Sequence, residues 1–201
     1  MLKNAISGVL ILTCSGCVGF QLRDDIQAEQ AVLLPDTRSQ PQCLGDTELP
    51  IEHSKKFVKI EDTDLLEQAL GQPKAGKLCQ GQVYQAKENT QVILFRAWNA
   101  TNSNSQLGHW WAFKSPRGQT AQYRSDYEIC YQWSPLDKLT HCTLNAGAKV
   151  VLGTGQSAVC SEYLTYPVSA KKQVYLADAN AALTDCRSYN GEFNWQAVIS
   201  Q

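Results

Sequence analysis

The sequence predicts an α+β fold: one disulfide-stabilised domain of short, mostly antiparallel strands with a few helices among them. Three observations predict it. β-prone segments recur along the chain, each bounded by Gly, Pro or Asn. Only two stretches switch to a helical period. Six cysteines, Cys43, Cys79, Cys130, Cys142, Cys160 and Cys186, are spread across the same region.

The chain opens with Met1-Leu2-Lys3-Asn4 and the apolar run AISGVLILT, a basic start followed by a short greasy segment. That is the pattern of a secretory signal peptide, and the run falls short of the roughly 20 apolar residues a spanning helix needs. Cys14-Ser15-Gly16-Cys17 has Cys-x-x-Cys spacing but no βαβ context and no second Cys/His pair, so neither a redox motif nor a zinc knuckle is indicated. It resembles a bacterial lipobox, with Ser15 and Gly16 before the lipidated Cys17 and with Cys14 where the family has an aliphatic residue. The resemblance implies cleavage after residue 16 and a membrane partner reached through acyl chains on Cys17. Val18, in place of an Asp, implies the outer membrane of a bacterial envelope.

Three segments result: 1–16 as signal peptide, 17–42 as lipidated N-terminus and tether ending in LLPDTRSQPQ, and 43–201 as the extracytoplasmic domain. The 185 residues left after cleavage suffice for one core. They hold two more acids than bases, with no cationic run beyond Lys55-Lys56 or Lys171-Lys172, so nucleic acid is excluded as an expected partner. An oxidising compartment makes three disulfides the expected state of the six cysteines. Metal binding is the alternative, but the three histidines do not cluster with them, and no metal site is expected. Fifteen pairings stay open, with nearest-neighbour pairing only a guess.

Along the domain, a helix is expected over Asp64–Gly71, capped by Asp64 with Glu67 three residues on, stopped by a left-handed Gly71 and ended by Pro73. Gln82–Gln85 and Gln91–Trp98 flank Lys87-Glu88-Asn89 and suggest a hairpin. His109–Phe113 reads as a short aromatic strand. Between Gly118 and Trp133, Tyr123, Tyr127, Cys130 and Tyr131 fall three or four apart, which puts them on one helical face with Arg124, Asp126 and Glu128 turned elsewhere. Strands follow at Thr140–Leu144, Lys149–Leu152 and Gln173–Leu176, with a tight turn at Asn145-Ala146-Gly147.

No nucleophile elbow, phosphate loop or His-Glu-x-x-His is present, and Gly153-Thr154-Gly155 reads as a bulge or strand end. The order of features says more. Arg96 near a strand end, then Gly108-His109-Trp110-Trp111, the Tyr123-Arg124-Ser125-Asp126 helix, Trp133-Ser134 and finally Gln173-Val174-Tyr175-Leu176 resemble the ADP-ribosyltransferase-like fold of short toxin domains acting on NAD. The resemblance covers about 92–177 and implies a split sheet. It gives Arg96 the NAD phosphates or nicotinamide ribose, Trp110 and Trp111 with Gly108 the nicotinamide pocket, and Gln173 the ribose hydroxyls as the glycosidic bond breaks. Glu162, in Cys-Ser-Glu-Tyr-Leu, resembles the catalytic Glu of pertussis-like members and competes with Gln173 for one role. Ser169-Ala170, Ala112 and Ser134 depart from the family pattern.

The expectation is therefore an envelope lipoprotein whose domain binds NAD or cleaves it, releasing nicotinamide or transferring ADP-ribose to a protein acceptor. NAD is a substrate in this reading, with no permanently bound cofactor. Each nominated residue has a structural alternative: an edge ion pair for Arg96, core for one tryptophan, a strand start for Gln173, an exposed acid for Glu162. The competing expectation is a non-catalytic outer-membrane lipoprotein serving envelope assembly, secretion or protein binding.

Overall fold

The computed structural model describes residues 42–88 and 91–193. The signal segment, Cys17 and all but the last residue of the tether lie outside the described residues.

The domain is α+β, and every pairing between its strands is antiparallel. In chain order the elements are β1 (Phe57–Lys59), α1 (Thr63–Ala69), β2 (Leu78–Ala86), β3 (Ile93–Trp98), β4 (Trp110–Trp111), α2 (Thr120–Asp126), β5 (Lys138–Leu144), β6 (Lys149–Gly155), β7 (Ala158–Ser161), β8 (Leu164–Tyr166), β9 (Lys172–Tyr175), α3 (Ala179–Ala182) and β10 (Leu183–Asn190). One sheet runs β1-β2-β6-β9-β4, a second runs β10-β5-β3, and β7 and β8 form a hairpin.

Side-chain alternation sorts the apolar residues of the larger sheet onto its two faces. Tyr84, Val150, Leu152, Val174 and Trp111 join Leu94 and Leu144 of the smaller sheet in the main core. Their immediate neighbours Val83, Val151 and Tyr175 point the other way, onto Leu65 and Ala69 of α1. Each fully buried aliphatic side chain contributes about 1.5–3 kcal/mol, so β6, buried from Val150 to Gly155, is the strand on which both layers depend.

The two sheets meet where β3 passes the end of β4. Phe95 and Ala112 exchange both backbone hydrogen bonds there, at 2.8 and 2.9 Å. This seam sets Arg96 beside the Trp110-Trp111 pair.

Three disulfides close the domain: Cys43–Cys79, Cys130–Cys160 and Cys142–Cys186. The first joins sequence neighbours, but the other two interleave, so nearest-neighbour pairing fails for four of the six cysteines. A bulge in β10 between Thr184 and Arg187 brings Cys186 opposite Cys142 of β5.

Several local expectations are corrected. The cap of α1 is Asp62, whose carboxylate accepts from the Leu65 amide at 3.1 Å and also pairs with Lys149 at 2.9 Å; Asp64 lies inside the first turn. Gly71 is not left-handed. The cap residue Leu70 is already extended, and Gly71 is needed because a Cβ there would strike the Gly76 carbonyl. β2 and β3 form no hairpin, because β1 and β6 occupy both edges of β2 while β3 pairs with β5. The turn at Asn145–Gly147 exists, with Gly147 at φ 75° and the Ala148 amide donating to the Asn145 carbonyl, yet it passes the chain between sheets instead of closing a hairpin. The second helix stops after seven residues: Glu128, two places beyond it, takes φ 48°, which no right-handed helix can continue through. Tyr123 and Tyr127 still lie together, with ring centroids 4.7 Å apart, but Cys130 is drawn to Cys160 and Tyr131 is exposed.

Candidate functional site

Arg96 leaves β3 at the seam and turns inward. Its Nε donates to the Ser105 carbonyl at 2.7 Å and its Nη1 to the Trp110 carbonyl at 2.8 Å, clamping the loop between β3 and β4. Gly108 makes room for it, since a Cβ there would sit 2.5 Å from Nη2. Among the described residues no carboxylate pairs with this guanidinium, and desolvation pulls its pKa down to about 10. Even a partly buried cation without a counter-ion is costly, and the geometry leaves Nη2 as its uncommitted edge.

Arg96, Trp110, Trp111, Tyr123, Tyr127 and Gln173 line one small inner pocket of about 50 Å³. They come from β3, β4, α2 and its C-cap, and β9, so the fold gathers residues nearly eighty positions apart. Trp111 is only 2% exposed, belongs to the main core and donates its indole N–H to the Gly108 carbonyl at 2.7 Å. Trp110, on the opposite face of the strand, is half-buried and packs on Tyr175 with centroids 5.0 Å apart. Burial holds the phenol of Tyr123 well above the usual tyrosine range and raises that of Tyr127, so both stay neutral.

The two tyrosines are also a wall of a larger outer cleft of about 430 Å³, which carries Lys114, Arg117, Lys171 and Lys172 against Asp126. Lys171 is spent on Asp126 at 3.4 Å and Lys172 on Asp46 at 2.7 Å. The side chains of Lys114 and Arg117 make no hydrogen bond or ion pair among the described residues, which leaves two free cations at the mouth of the aromatic pocket. The sequence reading missed both; their flanking of Pro116 is visible in Lys114-Ser115-Pro116-Arg117, but nothing there distinguishes them from ordinary surface charge.

Glu162 is not part of this arrangement. It stands exposed in the turn between β7 and β8 and lines neither cavity. The acid that does reach Gln173 is Glu128, 2% exposed, whose Oε2 accepts from Gln173 Nε2 at 2.7 Å. Burial lifts its carboxyl pKa to about 8 against the hydrogen bonds from Ser169 and Gln173, and its Oε1 has no hydrogen-bond partner. In the sequence it reads as one more polar residue on the outer face of a helix.

The described residues contain no group of three or more His, Cys, Asp or Glu able to hold a metal ion. What the arrangement offers is a partly buried guanidinium without a carboxylate partner, flat aromatic walls, an amide and two free surface cations. No protein-family model matches the chain, and no characterised protein and no solved structure matches it.

Proposed function

We propose that this is an envelope lipoprotein, anchored in the outer membrane through Cys17, whose domain is ADP-ribosyltransferase-like and binds NAD and cleaves its nicotinamide–ribose bond. One observation carries the reading: the partly buried Arg96, with no carboxylate partner among the described residues, shares its pocket with Gln173 and the two tryptophans, and that pocket adjoins a cleft with free cations at Lys114 and Arg117. A dinucleotide has this bipartite chemistry, a flat cationic ring joined to a diphosphate. The aromatic walls suit the pyridinium ring, and the cations suit the phosphates. Two antiparallel sheets meeting at the pocket agree with the split sheet the resemblance implies.

In the reaction, the bond from ribose C1′ to the pyridinium nitrogen breaks with both electrons moving to nitrogen, which leaves as neutral nicotinamide. Water, or a nucleophilic side chain of a protein acceptor, adds to C1′ and releases a proton to solvent. The carbon passes through an oxocarbenium-like state, so orientation and electrostatic stabilisation supply the catalysis. Gln173 contacts the ribose hydroxyls and Arg96 the adjoining phosphate.

The test is free nicotinamide released from NAD by the oxidised protein, beside NAD binding by calorimetry. Gln173→Ala should abolish release in protein that still folds, at a cost of about 1–3 kcal/mol because it strips the buried Glu128 Oε2 of its donor. Lys114→Ala and Arg117→Ala should each weaken binding about tenfold, the scale of one charge-assisted hydrogen bond. No release and no binding would leave the second reading, a non-catalytic envelope lipoprotein, which the size of the inner pocket favours: 50 Å³ lies far below the roughly 300–1,000 Å³ of ordinary ligand cavities.

A further inference from the structure

Gln173 touches the proposed ligand pocket, but what orients its amide lies behind it. Glu128 Oε2 takes an Nε2 hydrogen at 2.7 Å, which fixes the orientation of the amide beside the pocket that Gln173 lines. The chain accepts three costs to put a carboxyl there. Glu128 adopts a left-handed backbone at φ 48°. The neighbouring strand β6 carries Gly155 where any Cβ would overlap the carboxyl. Oε1 is buried without a partner.

The third cost is smaller for a neutral carboxyl, because a bare buried oxygen is more expensive on a carboxylate than on an acid. The Ser169 hydroxyl beside the carboxyl gives its hydrogen to the Asp126 carbonyl at 2.6 Å, which weakens what it can offer a carboxylate.

We infer that Glu128 is a positioning residue for Gln173: as a neutral carboxylic acid it fixes the amide so that Oε1 of Gln173 is presented to the ribose hydroxyls, without placing a negative charge beside an anionic ligand. The inference rests on the NAD reading for its consequence, but not for its geometry. Neutrality has a direct role, since a carboxylate there would offset the partly buried cation, Arg96, assigned to the diphosphate. The groups around Glu128 agree with it. Asp126 at the end of α2 opposes its ionisation, Tyr127 stays neutral, Lys171 is engaged by Asp126, and β6 and β9 contribute the Gly155 backbone and the neutral Gln173 amide.

The experiment follows the Gln173 side-chain NH₂ signal by ¹⁵N NMR from pH 5 to 9.5, assigned by its loss in Gln173→Ala, in wild type and in Glu128→Gln. In parallel, nicotinamide release from NAD is measured for both and for Glu128→Ala. The wild-type signal should move with one midpoint near pH 8, and KM for NAD should rise above that pH. Glu128→Gln, an isostere of the neutral acid, should show neither change. Glu128→Ala should lower kcat roughly 10- to 100-fold with KM little altered, as expected of a misoriented group. A midpoint near 4.5, a titration that persists in Glu128→Gln, or an active Glu128→Ala with wild-type kcat would each overturn the inference. If the NMR titration behaves as described while wild type releases no nicotinamide, the positioning of Gln173 stands and the NAD reading falls. Should Glu128→Ala fail to fold, the comparison of wild type with Glu128→Gln decides alone.

Discussion

Glu128 makes the stability of the whole domain depend on pH. Its carboxyl binds its proton more tightly when folded, near pH 8, than when exposed, near pH 4.5, so its neutral burial is fully tolerated only below about pH 4.5. Stability is then lost progressively up to about pH 8, by a few kcal/mol in total. Wild type should melt roughly 5–10 °C lower at pH 8.5 than at pH 5 by scanning calorimetry, and Glu128→Gln should show little of that slope. Arg96 predicts a different loss. Arg96→Lys keeps the charge but replaces a two-armed clamp by one ammonium, leaving Ser105 O or Trp110 O without a donor. That should cost about 1–3 kcal/mol in denaturant unfolding. Arg96, Trp110, Trp111 and Gln173 were legible in the sequence because each belongs to a short strand with a recognisable neighbourhood. Glu128 was not, because a helical period extended past Asp126 assigns it to solvent. Glu162 drew attention through a four-residue string, yet strings do not reveal that a turn points outward.

Caps and turns were nearly readable; pairings were not. The helix α1 was found from its start and stop signals, and its cap was misplaced by two residues because Asp62 and Asp64 are equally good local candidates. What separates them is that Asp62 alone lies outside the helical backbone, with its carboxylate on the Leu65 amide. Asp62→Ala should therefore destabilise the domain by about 1 kcal/mol and Asp64→Ala by much less, read from urea midpoints. The strands β2, β3, β4, β5, β6 and β9 were located to within a few residues, but β1, β7, β8 and β10 were not anticipated, and partners were assigned to sequence neighbours. β2 and β3 illustrate why: each has a hydrophobic pattern that fits several edges, and only the complete sheet decides which edges are vacant. The same holds for β5 and β6, whose connecting turn has the chemistry of a hairpin while their buried faces meet across the core.

At the scale of the molecule, covalent closure and the seam divide the task of holding the domain together. The disulfides span sequence separations of 36, 30 and 44 residues, and the chain-entropy model gives about 4 kcal/mol for each. Intact-mass measurement should find six fewer protons than in the reduced chain, and reduction should abolish cooperative melting near ambient temperature. Removing only the Cys130–Cys160 pair should also loosen Glu128, two residues from Cys130, and so shift the pH dependence of melting. The interleaved pairing was invisible in the sequence because loop length alone favours no connectivity here. The seam acts differently. Phe95 and Ala112 hold the sheets with two backbone hydrogen bonds directly beside Arg96 and the tryptophans. The domain is thus a book with a two-stitch spine at that edge, and both stitched residues also line the 50 Å³ pocket. Deuterium uptake at these two amides should clock the opening through which any ligand must enter, and a ligand that settles there should slow it.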